Sequence, residues 1–220
     1  YNFKSFKPNF VLYIGSNIPF KFNINNIYKR VEELSLIDFD IGYIGNVSRS
    51  YDLSELLLFI SKYNKKNGTS IGLKIVGFGD DIKKIKKISS QLSVRLKVTG
   101  FINYELAMKE LSTCLIAANP INKSSVSSII NKHSDYAFLG MPILNSHQSR
   151  EYLAMLRKYK CGKNYDSFSY KSFERSLQFF LVNKEILLSA SLGSRKMWEE
   201  NFDREKTYPI VLNKLLKILF

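Results

Sequence analysis

From about residue 40 onward, short β-branched apolar runs alternate with longer stretches in which apolar positions recur every three or four residues. The first kind suits a strand buried on both faces and the second puts one apolar stripe on a helix. Their alternation predicts βα units and a parallel sheet. The expected strands are FDIGYI, IGLKIVG, VRLKVTG, TCLIAAN, MPILN and a short one near CGKNY. Helices are expected over 53–65, 81–92, 104–111, a segment reaching Leu139, and 149–159. Asp81 and Ser149 read as N-caps, and Gly100 and Gly140 as stops. After Ser169 the spacing is helical throughout, over 170–182, 184–201 and 204–219, with Pro209 expected to kink or divide the last helix.

The first 38 residues differ, being rich in Asn, Phe and Lys. NFVLYIG is expected to be a strand and residues 27–34 a helix. This stretch reads as the end of a preceding lobe plus a linker, leaving 39–220 as one α/β domain. The chain opens on Tyr1 without the basic-then-apolar order of a signal peptide, so the start is expected to be a cut inside a longer protein. Apolar runs such as LLLFI are far shorter than the ~20 residues that span a bilayer.

The 220 residues are 45% hydrophobic and 24% charged, which suits one folded core rather than a disordered chain. Cys114 and Cys161 have neither CxxC spacing nor a His cluster nearby. A reducing cytoplasm is therefore expected, without a structural metal. The formal net charge of +14 calls for an anionic partner: nucleic acid, anionic lipid headgroups or a phosphorylated small molecule. No nucleic-acid reading module is recognisable, which leaves the phosphorylated ligand and the anionic membrane surface. The run KKIKK reads as a solvated helix face.

Three glycine turns each follow an expected strand: GNVSRS from Gly45, GFGDD with Gly77 and Gly79, and TGFIN with Phe101. In an open parallel sheet ligands bind at the carboxyl ends of strands, where glycine lets a phosphate approach backbone N–H groups. Glycine also ends strands for steric reasons alone. GFGDD is neither a P-loop nor G-x-G-x-x-G, so P-loop and dinucleotide enzymes are excluded. His133 and His147 lack metal-ligand spacing, and no G-x-S-x-G elbow is present.

Taken in order, these pieces resemble the C-terminal lobe of GT-B glycosyltransferases. Within these the similarity is to glycosyltransferase family 4, in the branch that builds bacterial surface polysaccharides. The resemblance spans about 41–219. Its strongest segment is SSIINKHSDYAFLGMPILNS, similar to the signature N-K-x-x-E/D-Y-x-x-x-G-x-P through Asn131, Lys132, Asp135, Tyr136, Gly140 and Pro142. What it implies is a Rossmann-like donor-binding lobe with closing helices, Asp135 on the ribose hydroxyls, and Gly45 and Arg49 at the donor diphosphate. Phe101 would stand in the donor-base segment. An alternative for Asp135 is a plain surface ion pair with Lys132, three residues away.

Two positions depart from the family pattern. The Glu-x7-Glu pair maps onto Ser127 and Asp135, so a short neutral group stands where the donor sugar is normally held. The basic residue after the first turn corresponds to about Tyr51, which leaves diphosphate binding to Arg49, Lys123, Lys132 and helix N-termini. The resemblance further implies a hexosyltransferase acting on a nucleoside diphosphate sugar, UDP- or GDP-linked, without essential metal or cofactor and with retention of configuration. The acceptor would be a polysaccharide or lipid-linked saccharide at the cytoplasmic membrane face, and the lobe alone would be inactive. The alternative is a noncatalytic partner subunit that keeps only the fold.

Overall fold

The computed structural model describes residues 12–15, 18, 21–33, 39–123 and 129–219. Its described elements run α1 (Asn25–Glu32), β1 (Phe39–Ile44), α2 (Leu53–Asn67), β2 (Leu73–Val76), α3 (Ile82–Leu92), β3 (Leu96–Val98) and α4 (Tyr104–Ser112). Then follow β4 (Cys114–Asn119), α5 (Asn131–Phe138), β5 (Ile143–Asn145), α6 (Arg150–Lys158), β6 (Gly162–Asn164), α7 (Tyr170–Leu181), α8 (Lys184–Asn201) and α9 (Arg204–Leu219). All five strand pairings are parallel, and the order is β3-β2-β1-β4-β5-β6. The expected α/β class and each of the six expected strands are present.

The central strands β1 and β4 are apolar nearly throughout because both of their faces are covered. On one face Leu53, Leu56, Leu57 and Ile60 of α2 pack with Ile41, Tyr43, Leu73 and Ile75, closed by Phe173 and Leu177 of α7. On the other, Met108 and Leu111 of α4 join Tyr136, Ala137, Tyr152 and Met197. The spacing i, i+3, i+4, i+7 in α2 is what gives that helix one buried stripe. It ends at Gly68, whose φ of 64° closes a left-handed cap with its N–H on Asn64 O.

Several expectations are corrected. Residues 12–15 form no strand, since Tyr13 packs on Phe202 and donates its hydroxyl to Glu151. α9 continues through Pro209 as one helix, so the proline does not divide it. Asp81 makes no side-chain cap, whereas Ser149 does, accepting from Tyr152 N. Gly100 closes a strand rather than a helix. Apart from these corrections, α1 makes contacts with the residues that follow α5: Ile27 lies against Gly140, and the buried Arg30 donates to the carbonyls of Leu139 and Gly140.

A charge pair between a buried lysine and a partly exposed glutamate ties the sheet to α4. Lys74 is fully buried and bonds Glu110 at 3.1 Å, Glu110 O at 3.2 Å and Thr113 Oγ1 at 2.6 Å, while Lys97 reaches the same carboxylate at 3.0 Å. The hydrogen bond from Lys97, and then Lys74, hold the Glu110 carboxyl below the usual glutamate range. The stabilisation is therefore complete above the unfolded value of about 4.3 and is lost as pH falls through the lower folded value. Glu110→Gln is expected to show a shallower decline of Tm below about pH 5 than the wild type, as read by thermal melts across that range.

Candidate functional site

A sheet of order 3-2-1-4-5-6 has its topological switch between β1 and β4, and the crevice beyond their carboxyl ends is where such sheets take ligands. Here the crevice is built by local ties. An antiparallel bridge pairs Tyr51 with Ile121, Asp52 N donates to Pro120 O, and Asn122 N donates to Ser50 O. These bonds draw the chain after β1 towards the chain after β4. Tyr136 spans the strand ends from below: its hydroxyl donates to Ala118 O at 2.8 Å and accepts from Ile44 N at 3.2 Å.

The first two glycine turns lock into each other. Val47 N donates to Phe78 O and Gly45 N to Val76 O. A Cβ on Gly77 would lie 2.0 Å from Gly45 O, and one on Gly79 would lie 2.2 Å from Val47 O, at φ of 156° and 152°. Both positions therefore require glycine for the turns to meet, whatever lies against them. Arg49 is exposed on the first turn and lines a cleft with Val47, Tyr51, Asp52, Asp81 and Lys84.

α5 starts at the carboxyl end of the sheet and carries the two most telling side chains. Asp135, 8% exposed, accepts the Tyr104 hydroxyl at 2.6 Å across from the first residue of α4. Lys132, 7% exposed, lies directly behind Gly45: a Cβ there would be 3.3 Å from its Nζ. Its Nζ stands 4.1 Å from the Tyr43 ring centroid and 3.7 Å from that of Tyr51, and donates to Tyr43 Oη at 2.9 Å. Tyr43 Oη in turn donates to Asn46 O at 2.6 Å. Burial pulls Lys132 well below the usual lysine range, with Asp135 acting in the opposite direction.

The surface ion pair offered as an alternative for Asp135 and Lys132 is thus corrected, because both side chains are buried and each has a tyrosine partner. Lys123 points elsewhere, bonding Asp166 at 2.8 Å and lying 4.6 Å from the Phe168 ring centroid, beyond β6. Phe101 is 81% exposed and meets Phe78, itself 52% exposed, edge to face at 5.3 Å. A groove of about 580 Å³ runs from this turn along α4, lined by Val98, Thr99, Ile102 and Leu106. Ser127 lies outside the described residues.

The reading from sequence passed over Tyr43 and Tyr104, and read Tyr51 only as a missing cation. It also missed an asparagine row. Asn119, Asn145 and Asn164 end β4, β5 and β6 in the same register, linked by two hydrogen bonds of 2.7 Å. Asn119 Nδ2 lies 3.0 Å from His133 Nε2, and the His133 ring stacks on Tyr152 at 3.5 Å and 4°. Burial, and then His147 and Lys132, keep His133 well below the usual histidine range, so it is a neutral core group orienting α5. The shared strand-end position of the three asparagines was the available signal. Among the described residues no group of three His, Cys, Asp or Glu could hold a metal, and no helix is long and apolar enough to cross a membrane.

Solved structures similar in fold to this chain include glycosyltransferases. Anabaena HepE in complex with UDP superposes with a TM-score of 0.69 at 11% identity, over 89% of this chain and 54% of that one. The catalytic domain of the Helicobacter pylori cholesterol-alpha-glucosyltransferase gives 0.60 at 23% identity, over 74% and 98%. WaaG, a glycosyltransferase involved in lipopolysaccharide biosynthesis, gives 0.63 at 12% identity, over 80% and 47%. The chain spans about half the length of HepE. No family model matches the sequence, and no curated protein matches it.

Proposed function

We propose that this chain is the donor-binding lobe of a GT-B glycosyltransferase of family 4, and that it holds a nucleoside diphosphate sugar, UDP- or GDP-linked, at the β1–β4 crevice. The observation that carries this reading is the pairing of two buried groups on one turn of α5. The Asp135 carboxylate is oriented by Tyr104 at the first turn of α4, and the Lys132 amine sits immediately behind the Gly45 turn. A carboxylate accepts the two hydroxyls of a ribose, and a cation beside a glycine turn meets a diphosphate.

In this reading Asp135 takes the ribose hydroxyls. Gly45, Gly77 and Gly79 shape the diphosphate cradle, with Arg49 and Lys132 supplying charge, and Phe101 with Phe78 offers faces for the base. Lys123, paired with Asp166, does not serve the diphosphate, and Ser127 stands at the position where the family holds the donor sugar. With its preceding lobe the protein transfers a hexosyl group, with retention, to a polysaccharide or lipid-linked acceptor at the cytoplasmic face of an anionic membrane. The leaving diphosphate is stabilised by cations and N–H dipoles without an essential metal. The tyrosine at position 51 would favour a noncatalytic relative if the cation were simply lost. Lys132, set from α5 against that same ring, supports a donor site that keeps a basic side chain beside the first turn.

Calorimetric titration of the chain with UDP and with GDP tests the reading. Saturable binding of one nucleotide is expected. Absence of binding by both at millimolar concentration, in folded protein, would overturn it.

A further inference from the structure

Lys132 is an unusual place to keep a cation. An exposed lysine at a phosphate site is hydrated and charged before the ligand arrives, whereas this one is closed off by two aromatic rings, its own helix and the Gly45 turn. Ring faces attract an ammonium but return only part of the hydration it gives up. The groups facing it are Tyr43 from β1, Tyr51 from the stretch before α2, and Asp135 and His133 from its own helix, with Tyr136 behind them. Burial pushes the three tyrosine hydroxyls up and keeps His133 neutral, so among the described residues Asp135 is the charged group that acts on Lys132. That single carboxylate is shared with Tyr104.

Resting on the donor-binding reading above, we propose that the Tyr43–Tyr51 enclosure holds Lys132 as an uncharged amine in the free protein, and that a nucleoside diphosphate docking at the Gly45 turn binds together with a proton that Lys132 takes up. The diphosphate brings at least two negative charges to a turn where a Cβ added at Gly45 would stand 3.3 Å from Nζ, and in a water-poor setting that favours the ammonium form strongly. The proton comes from solvent and no bond in the ligand is broken. Tyr51 is then a positioning residue, since it acts on the donor through Lys132. Affinity should be flat at low pH and fall by up to tenfold per pH unit once Lys132 is neutral in the free protein but charged in the complex.

The test is titration calorimetry of the whole chain with UDP and GDP at pH 8.5, in buffers of low and high ionisation enthalpy. At that pH the terminal phosphate, whose second ionisation lies near 6, is already a dianion and adds no proton of its own. The dependence of the observed enthalpy on the buffer should report close to one proton taken up per nucleotide. Lys132→Met should bind more weakly with uptake near zero. Tyr51→Leu, which admits water to a lysine charged from the start, should bind with uptake reduced towards zero while the affinity loss stays smaller than in Lys132→Met. A merely structural role for Tyr51 would not move the proton count. Nucleotide binding by the wild type without proton uptake, or uptake that persists in Lys132→Met, would overturn the inference while leaving the donor site intact. No binding of either nucleotide removes the donor reading and the inference with it.

Discussion

Replacing Asp135 by alanine is expected to weaken UDP binding about 10- to 100-fold, the size of a hydrogen-bonding interaction with a charged group of roughly 1.5–3 kcal/mol. The fold should survive, because the Tyr104 hydroxyl that bonds Asp135 belongs to a side chain 37% exposed and can turn to water. Titration with 2′-deoxyuridine diphosphate separates a ribose contact from a general electrostatic effect. The wild type should discriminate against the deoxy ligand, and Asp135→Ala should lose much of that discrimination, giving a coupling energy in a double cycle. Equal UDP affinity in the variant, or discrimination unchanged by it, would remove Asp135 from the donor site. Tyr104→Phe is expected to have a smaller effect, since it withdraws only the hydroxyl that orients one carboxylate oxygen.

The second large effect is steric. Gly77→Ala places a methyl group 2.0 Å from Gly45 O and 2.9 Å from its carbon, both backbone atoms, at a φ of 156°. Neither turn can give way without breaking the bonds from Gly45 N to Val76 O and from Val47 N to Phe78 O. Overpacking and backbone strain together should cost about 2–6 kcal/mol, visible as a fall in the denaturation midpoint, with nucleotide binding lost beyond what stability explains. Gly68→Ala is the control, because its φ of 64° is also left-handed but a Cβ there meets nothing within 4 Å. It should cost only about 1–2 kcal/mol and leave binding unchanged. A Gly77 variant as stable as the Gly68 variant would mean that the two turns are not held together as described.

Which parts of this protein could be read before folding follows from how local each determinant is. The strands were legible because β1 and β4 are apolar on both faces, and the helices because α2, α6 and α8 repeat at the period of a helix. Before β1 the helix expected over 27–34 was legible too and is α1, but the path of residues 12–15 was not, since Tyr13 is secured by Phe202 and Glu151, more than a hundred positions away. Pro209 breaks the local rule for α9 and the helix nonetheless continues. Asp135 was legible as a donor-site candidate from its motif, but nothing adjacent in sequence announces Tyr104 as its partner.

The pattern along the chain by itself determined the α/β class, the order of its elements, and the placing of glycine turns and the Asp135 helix at strand ends. Periodicity and turn chemistry act over a few residues and need no partner. Only the tertiary structure decided that Gly77 and Gly79 are glycines because two turns must touch, that Lys123 belongs to Asp166, and that Lys132 stands between Tyr43 and Tyr51 behind Gly45. Those outcomes depend on which surfaces the parallel sheet brings within a few ångströms. Burial and charge at Lys132 are properties of that enclosure, not of the residue.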